Sequence, residues 1–350
     1  MKKLPPFLLP AVLLVLLFLP IRDTASGDGP DRDPTHLVTT DRMQIGDNPE
    51  ALIWTFGKFR GDVPLSIGVS FTDPALIDMF TALALPLPDG VFPYALPHLT
   101  APQLAPARVY NLDLPDNVHQ QHDMGSPGKM RKNYNIRFPE KVRSTTPFDH
   151  MGWFANAQGH APLGVFDVPH VDVHFFTITV EDRKAISGQL DDPKLLAYPP
   201  ADFLPADFCL PTVPPPFPPP CKTIPDLTTT DIPGSNDSEQ GLHWVDQFAP
   251  ELRGEPFRQI FIFGSYDGKV NFWEPMITKL FFEDVRLFLT DLQSTGHKVS
   301  LTFDIKQPAQ FLKMSYYPTQ YTVHYDADLK EFSVSLDNFV LQKGTEVAAK

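Results

Sequence analysis

Three residues that bind metals well recur at every second position of GVFDVPHVDVHFF, residues 164–176: His170, Asp172 and His174. Imidazole nitrogens and carboxylate oxygens are the donors that zinc and other first-row divalent ions take. If the stretch is a strand, alternation puts these three and Phe176 on one face. Val171, Val173 and Phe175 then line the other. The same geometry limits what the motif can hold. Cα atoms four residues apart on a regular strand are about 13 Å apart. A histidine places a metal roughly 6 Å from its own Cα. His170 and His174 therefore cannot share one ion on a straight strand. Neighbouring pairs can, either His170 with Asp172 or Asp172 with His174, and a bulge or strong bend would relax the limit. Two other uses of the same residues stay open. Asp172 could orient a histidine from behind, or all three could form a buried hydrogen-bond network.

Further ligands must come from elsewhere in the chain. His243 in GLHWVD and Glu274 in NFWEP are the first candidates, with His160 behind them. Glu274 follows a hairpin signal, Asp267-Gly268, the dipeptide preferred in two-residue turns. Counting back from Tyr266 opposite Lys269 sets Phe263 opposite Phe272 and Phe261 opposite Glu274. The carboxylate would then lie among Phe261, Phe263 and Phe272, where it needs a partner. Ile262 and Trp273 make the second face apolar too, so this hairpin is expected in the middle of a sheet. Gly164 followed by His170 resembles the first cupin motif, but position 172 is Asp and no second motif follows. A cupin is a distant analogy only. GxSxG, Walker A, HExxH and GxGxxG signatures in the required strand and helix context are absent from the sequence. Two functional readings follow. One is a non-enzymatic protein that binds a divalent metal ion or small ligand on the His/Asp face. The other is a metal-dependent enzyme, a hydrolase or oxygenase, using the same residues as ligands and general base.

The elements that would position these residues are mostly short strands. ALIWTFGKF and PLSIGVSF read as a hairpin joined by Arg60-Gly61-Asp62-Val63. Asp73-Pro74 opens a short helix over 74–83. NIRFPEKV and FDHMGWFA are strands, and a helical turn is expected over 181–187. Residues 276–293 fit an amphipathic helix with Ile277, Leu280, Phe281, Phe288 and Leu292 on one side. KVSLTFDI, TQYTVHYD and EFSVSLDNFVL close the chain as an antiparallel meander. The expected fold class is α+β and β-rich, an antiparallel sheet or barrel-like core with a few short helices. A single domain is expected over 46–345. It follows an irregular segment at 27–45 and carries Pro-rich loops at 86–106 and 199–233.

Compartment and partners come from the ends of the composition. Lys2 and Lys3, an apolar run from Pro5 to Pro20 and small residues at Thr24-Ala25-Ser26 have the layout of a secretory signal peptide over 1–26. The run is short for a membrane span, so no stable span is expected after cleavage. The formal charge is −13, and removing residues 1–26 makes it −15. Such acidity argues against nucleic acid as a partner. The two cysteines, Cys209 and Cys221, are expected to form a disulfide in an oxidising compartment, periplasmic or extracellular. Between them lies a proline rod that must break to allow the bridge, most simply at Phe217-Pro218.

Three blocks carry a resemblance: PFDHMGWFANAQGHAPLGVFDVPHVDVHFF, GLHWVDQFAPELRGEPFRQIFIFGSYDGKVNFWEPMIT and YYPTQYTVHYD. They resemble the signature blocks of a family of exported bacterial proteins, a domain of unknown function with a structurally known Thermus member. The similarity runs from about Met43 to Val340. It implies a β-rich domain that assembles into homo-oligomers, and it implies no activity. This chain departs from the family pattern at Val171 and Val173, where aromatics are usual, and in its Pro-rich cysteine loop.

Overall fold

The computed structural model describes residues 34–45, 48–81, 107–111, 120–122, 131–157, 159–160, 164–213, 221–228, 230–291 and 297–345. The leader expected at 1–26, the Pro-rich stretch 86–106 and the break expected at Phe217-Pro218 lie outside them. In chain order the first strands are β1 Thr35–Thr39, β2 Met43–Gln44, β3 Leu52–Arg60, β4 Val63–Thr72, β5 Ala107–Asn111, β6 Gln120–His122 and β7 Arg131–Arg137. Then come β8 His150–Asn156, β9 His170–Phe176, β10 Phe208–Val213, β11 Cys221–Lys222, β12 Ile232–Pro233, β13 Asn236–Asp237 and β14 Gly241–Asp246. The last are β15 Gln259–Tyr266, β16 Lys269–Thr278, β17 Lys298–Asp304, β18 Ser315–Asp326 and β19 Glu331–Gln342. Four short helices interrupt them: α1 Asp73–Thr81, α2 Glu140–Thr145, α3 Val180–Lys184 and α4 Lys279–Asp291.

The strands form two sheets, as the β-rich α+β expectation requires. One runs β1-β3-β4-β19-β18-β17, with β2 on β3. The other runs β11-β10-β14-β15-β16-β9-β8-β7-β5-β6, with β12 on β10 and β13 on β14. Among the described strands, pairing is antiparallel except between β5 and β7. Each path has two ends among the described residues, so the core is a pair of open sheets and not a barrel. Aromatic side chains fill the space between them. Phe71 of β4 packs on Trp153 of β8 with ring centroids 4.7 Å apart, and Phe261 of β15 on Tyr321 of β18 at 5.3 Å. Val171, Val173 and Phe175 are buried in this same layer. The two valines therefore pack between the sheets, away from the histidine face.

Three segment expectations are corrected. Residues 27–45 are not wholly irregular, because β1 pairs with β3 along Thr35–Thr39 as a largely exposed edge strand. The Pro-rich stretch 199–233 contributes strands as well as loop. In it β10 joins β14, and Cys209 is bonded to Cys221 with Cα atoms 5.4 Å apart. The helix expected at 276 begins later, since β16 keeps its pairing as far as Thr278 opposite His170. The Thr278 hydroxyl accepts from the Phe281 amide at 3.1 Å and caps α4. Ile277 is thus a strand residue facing the core, and Leu280 is exposed. Phe282 and Val285 are buried, and the side chains of Phe288 and Leu292 lie outside those described.

The β15–β16 hairpin turns at Asp267-Gly268, both at positive φ, with Tyr266 opposite Lys269. It lies in the interior of its sheet, as expected. Its register then slips. A bulge between Gly264 and Ser265 sets Gly264 opposite Phe272, Phe263 opposite Trp273, and Ile262 opposite Glu274. Phe261 and Phe263 therefore point between the sheets, and Glu274 points to the other side, with Phe272 and Met276. That outer side has its own apolar layer, including Phe154, Phe166, Phe176, Cys209, Phe257, Ile262 and Met276. It lies under the loops that follow β8 and β14.

Gly264 is required at the bulge for room. A Cβ there would stand 1.9 Å from the Phe272 ring. Gly264→Ala should cost about 2–4 kcal/mol in urea unfolding, because Phe272 sits within a packed layer. An unchanged midpoint would mean that the ring has somewhere else to go.

Candidate metal centres

Strand pairing gathers the polar residues of the outer face around β9. On one side, β8 sets Asn156 opposite His170, Phe154 opposite Asp172 and Gly152 opposite His174. On the other, β16 sets Met276 opposite Asp172 and Phe272 opposite Phe176, which brackets Glu274 against His174. Two strands further on, His243 of β14 lies opposite Gly264. The bulge at Gly264 is what brings His243 onto the side that carries Glu274. Glycine stands opposite each of these two histidines. A Cβ on Gly152 would lie 2.8 Å from the Phe176 ring and 3.0 Å from Phe154. An isolated glycine within a strand is a recognisable sign of such close approach.

The six residues singled out from the sequence fall into two groups, not one. His160, His170 and Asp172 form the first; His174, His243 and Glu274 form the second. In each group the possible ligand atoms lie within 4.8 Å of one another. His170 and His174 belong to different groups, as the reach of a straight strand demands. Asp172 pairs with His170, one of the two allowed choices. His243 and Glu274 complete His174, and the His170–Asp172 pair is completed by His160, from the loop after β8.

In the first group, His170 Nδ1 is 2.7 Å from the Val168 carbonyl oxygen. A carbonyl only accepts, so Nδ1 carries the hydrogen and Nε2 is left to present its lone pair. That Nε2 faces Asp172 Oδ1 at 3.0 Å. His160 Nε2 is 3.5 Å from Asp172 Oδ2, and the Asn156 amide donates to the same oxygen at 2.7 Å. Asp172 and His170 are buried, while His160 keeps about a fifth of its side chain exposed. Burial raises the pKa of Asp172, but His170 and His160 outweigh it and hold the carboxyl well below the usual carboxylate range. Burial pushes His170 down, against the pull of Asp172. Phe257 closes over the His170 ring at 5.4 Å, and Phe166 packs on Phe257 at 5.0 Å.

The second group is built differently. His243 Nδ1 is 3.0 Å from the Ser235 carbonyl oxygen, and its Nε2 faces a second acceptor. It meets Gln240 Oε1 at 2.9 Å and Glu274 Oε2 at 3.9 Å. Gln240 cannot turn its amide around without cost, because its Nε2 donates to Asp237 at 3.0 Å. His174 Nε2 is 3.5 Å from Glu274 Oε2. Burial is also the first cause that lowers the His243 pKa. Phe154 and Phe272 each approach the His174 ring at 4.6 Å, so the group is walled by aromatics.

The spacings fit shared cations. Donors around a tetrahedral ion with bonds near 2.1 Å are about 3.4 Å apart. The three longer separations here are 3.5, 3.5 and 3.9 Å, beyond an ordinary N–H···O bond. An Nδ1–H given to a backbone carbonyl is the usual way a protein aims a ligating Nε2. Asn156, Gln240 and the two glycines were not visible as site residues in the sequence. For Gly152 and Asn156 the one signal is alternation in HMGWFAN, which places them on the face of His150. His150 itself stands apart, stacked on Phe176 at 4.8 Å. Burial lowers it to about 4 against its bond to Asp149. No family model, curated protein or solved structure matches the chain. Among the described residues no helix is long and apolar enough to cross a membrane.

The segment that roofs this face holds another buried carboxyl. Glu251, in the short turn Pro250–Arg253, is buried, and its Oε1 has no hydrogen-bond partner among the described residues. Burial first, then Asp246 and Glu255, raise its pKa to about 7 from 4.5. The folded state therefore favours the protonated acid. The stability this contributes is full below pH 4.5 and is lost as pH rises through about 7. The gap in urea stability between wild type and Glu251→Gln should therefore change between pH 4.5 and pH 8. The change should be on the order of 3 kcal/mol, in the variant's favour at the higher pH. A gap that stays constant with pH would mean that the carboxyl titrates in the folded chain as it does in the unfolded one.

Proposed function

We propose that this chain is an exported, non-enzymatic protein that binds divalent metal ions in two separate sites of the outer face. The first site is His160, His170 and Asp172. The second is His174, His243 and Glu274. The observation that carries the reading is the aim of His170. With Nδ1–H committed to Val168, its Nε2 lone pair points at an Asp172 oxygen 3.0 Å away. Two lone pairs at that distance repel unless a positive charge joins them, either a proton on Nε2 or a metal ion beside both atoms. His174, His243 and Glu274 support the reading by bringing a second set of possible ligand atoms within 4.8 Å of one another. Export is supported by the leader-like residues 1–26 and by the disulfide, which is typical of oxidising compartments. The acidic balance of the chain speaks against nucleic acid as a partner. The signature blocks support membership of the exported family they resemble, homo-oligomers included.

A second reading rests on the exposure of His160. The first group offers three protein ligands and one side toward solvent, the pattern of a catalytic ion that keeps a position for water or substrate. In that reading the chain is a metal-dependent hydrolase or oxygenase, and His160→Ala would abolish turnover while the second site stayed loaded.

Metal analysis of protein purified from its native compartment without chelator tests the proposal. Two equivalents per chain are expected. His170→Ala should leave one, His243→Ala should leave one, and the double variant none. Chelation should lower the melting temperature, and zinc or manganese should restore it. Metal-free protein whose melting is unmoved by zinc, copper or manganese would sink the metal reading. It would leave His170 and Asp172 as a buried imidazolium–carboxylate pair.

A further inference from the structure

The other side of the same strands carries a second, unrelated feature. Trp273 follows Phe272 and precedes Glu274, so it faces between the sheets. There, with Phe263, Tyr317 and Phe311, it forms one wall of a cavity of about 480 Å³. The wall is continuous: Phe263 and Trp273 have centroids 4.7 Å apart, Trp273 and Tyr317 6.0 Å, and Tyr317 and Phe311 4.3 Å. Ile178 and Leu312 also line it. Its size lies within the range of small-molecule sites, which are mostly apolar with a few placed polar groups.

The polar groups here are unequal. Asp182 lies at the edge, but the Thr179 hydroxyl donates to its carboxylate at 2.9 Å and caps α3 with it. Gln310 is tied to Asp202 at 3.1 Å. Lys269 and Lys313 also line the cavity, and both are exposed residues. Neither side chain has an ion-pair or hydrogen-bond partner among the described residues. Six other lysines, Lys141, Lys194, Lys222, Lys279, Lys298 and Lys306, sit beside carboxylates. An apolar aromatic slot with two uncommitted ammonium groups matches a small molecule that is flat and apolar at one end and anionic at the other.

We infer that this cavity binds an aromatic carboxylic acid, its ring against the Trp273–Tyr317 wall and its carboxylate between Lys269 and Lys313. Aromatic faces attract flat rings through offset and edge contacts. A carboxylate at the rim gains charge-assisted hydrogen bonds without leaving water altogether. The site is independent of the metal groups, because neighbouring residues of a strand face opposite ways.

Titration of the full chain by calorimetry with 2-naphthoate and with its neutral analogue 2-naphthylmethanol tests this. One naphthoate per chain is expected, with the alcohol at least tenfold weaker. Lys269→Gln with Lys313→Gln should weaken naphthoate at least tenfold and leave the alcohol unchanged. These are surface changes, so the melting temperature serves to show the variant folded. Ile178→Trp should fill the cavity and abolish both. Chelation should change neither affinity. No naphthoate binding by the unaltered chain would overturn the inference, as would equal binding of acid and alcohol. Binding lost on chelation or in His170→Ala would move the ligand to the metal face and overturn it too.

Discussion

Two carboxylates in an apolar layer set the terms for the rest of this structure. Asp172 and Glu274 are buried among phenylalanines on the outer face of the larger sheet. A lone ionised carboxylate in such surroundings carries a desolvation penalty of several kcal/mol. Each is therefore surrounded by imidazoles. Those imidazoles are aimed by carbonyls of the chain itself, Val168 for His170 and Ser235 for His243. Loops that look incidental have this as their task. The segment before β9 and the turn before β14 place one backbone oxygen each where it decides which ring nitrogen is left to face the carboxylate.

Register converts this local demand into a fold-wide one. On β16, Glu274 and Trp273 are neighbours with opposite duties, one in the polar cluster and one in the aromatic layer between the sheets. A slip of one residue would exchange them, burying the carboxylate among Phe261, Phe263 and Tyr321 and setting the indole against the imidazoles. The bulge at Gly264 lets β15 and β14 follow the same alternation as β16 and β9. It also makes room for the Phe272 ring, which packs against both His174 and His243. Packing and polar chemistry are thus met by one glycine.

The sheet class, the hairpin at Asp267-Gly268, the closing meander and the disulfide were legible in the sequence, because each rests on local pattern or on a simple count. The rule that His170 and His174 cannot share an ion was legible too, being a matter of strand length. The partition into two groups was not. A count from the turn puts Phe261 opposite Glu274, and only the bulge, which leaves little trace beyond Gly264 itself, moves Ile262 there. His160 looked weakest of the six residues because loop residues carry no periodicity, yet it completes the first group. Asn156 and Gln240 were missed since an amide becomes part of a polar cluster only through tertiary pairing. The start of α4 was misplaced because Met276, Ile277 and Thr278 suit a strand as well as a helix, and pairing with β9 and β15 decided it.

The two groups differ in a way that bears on what cations in them could do. In the second, all three ligands sit on strands: His174 and Glu274 are fully buried, His243 is held at both ring nitrogens, and the rings of Phe154 and Phe272 pack against the imidazoles. An ion there would tie β9, β14 and β16 together, and its binding energy would add to that of folding. In the first group, His160 arrives from a loop and meets solvent, so one ligand can leave without dismantling a strand. Its release costs a loop movement, whereas releasing His174 would require parting β9 from β8 and β16. Exchange of a bound ion with the surroundings would therefore fall to the first group, and reinforcement of the sheet to the second. The alternation of a single strand, β9, supplies both.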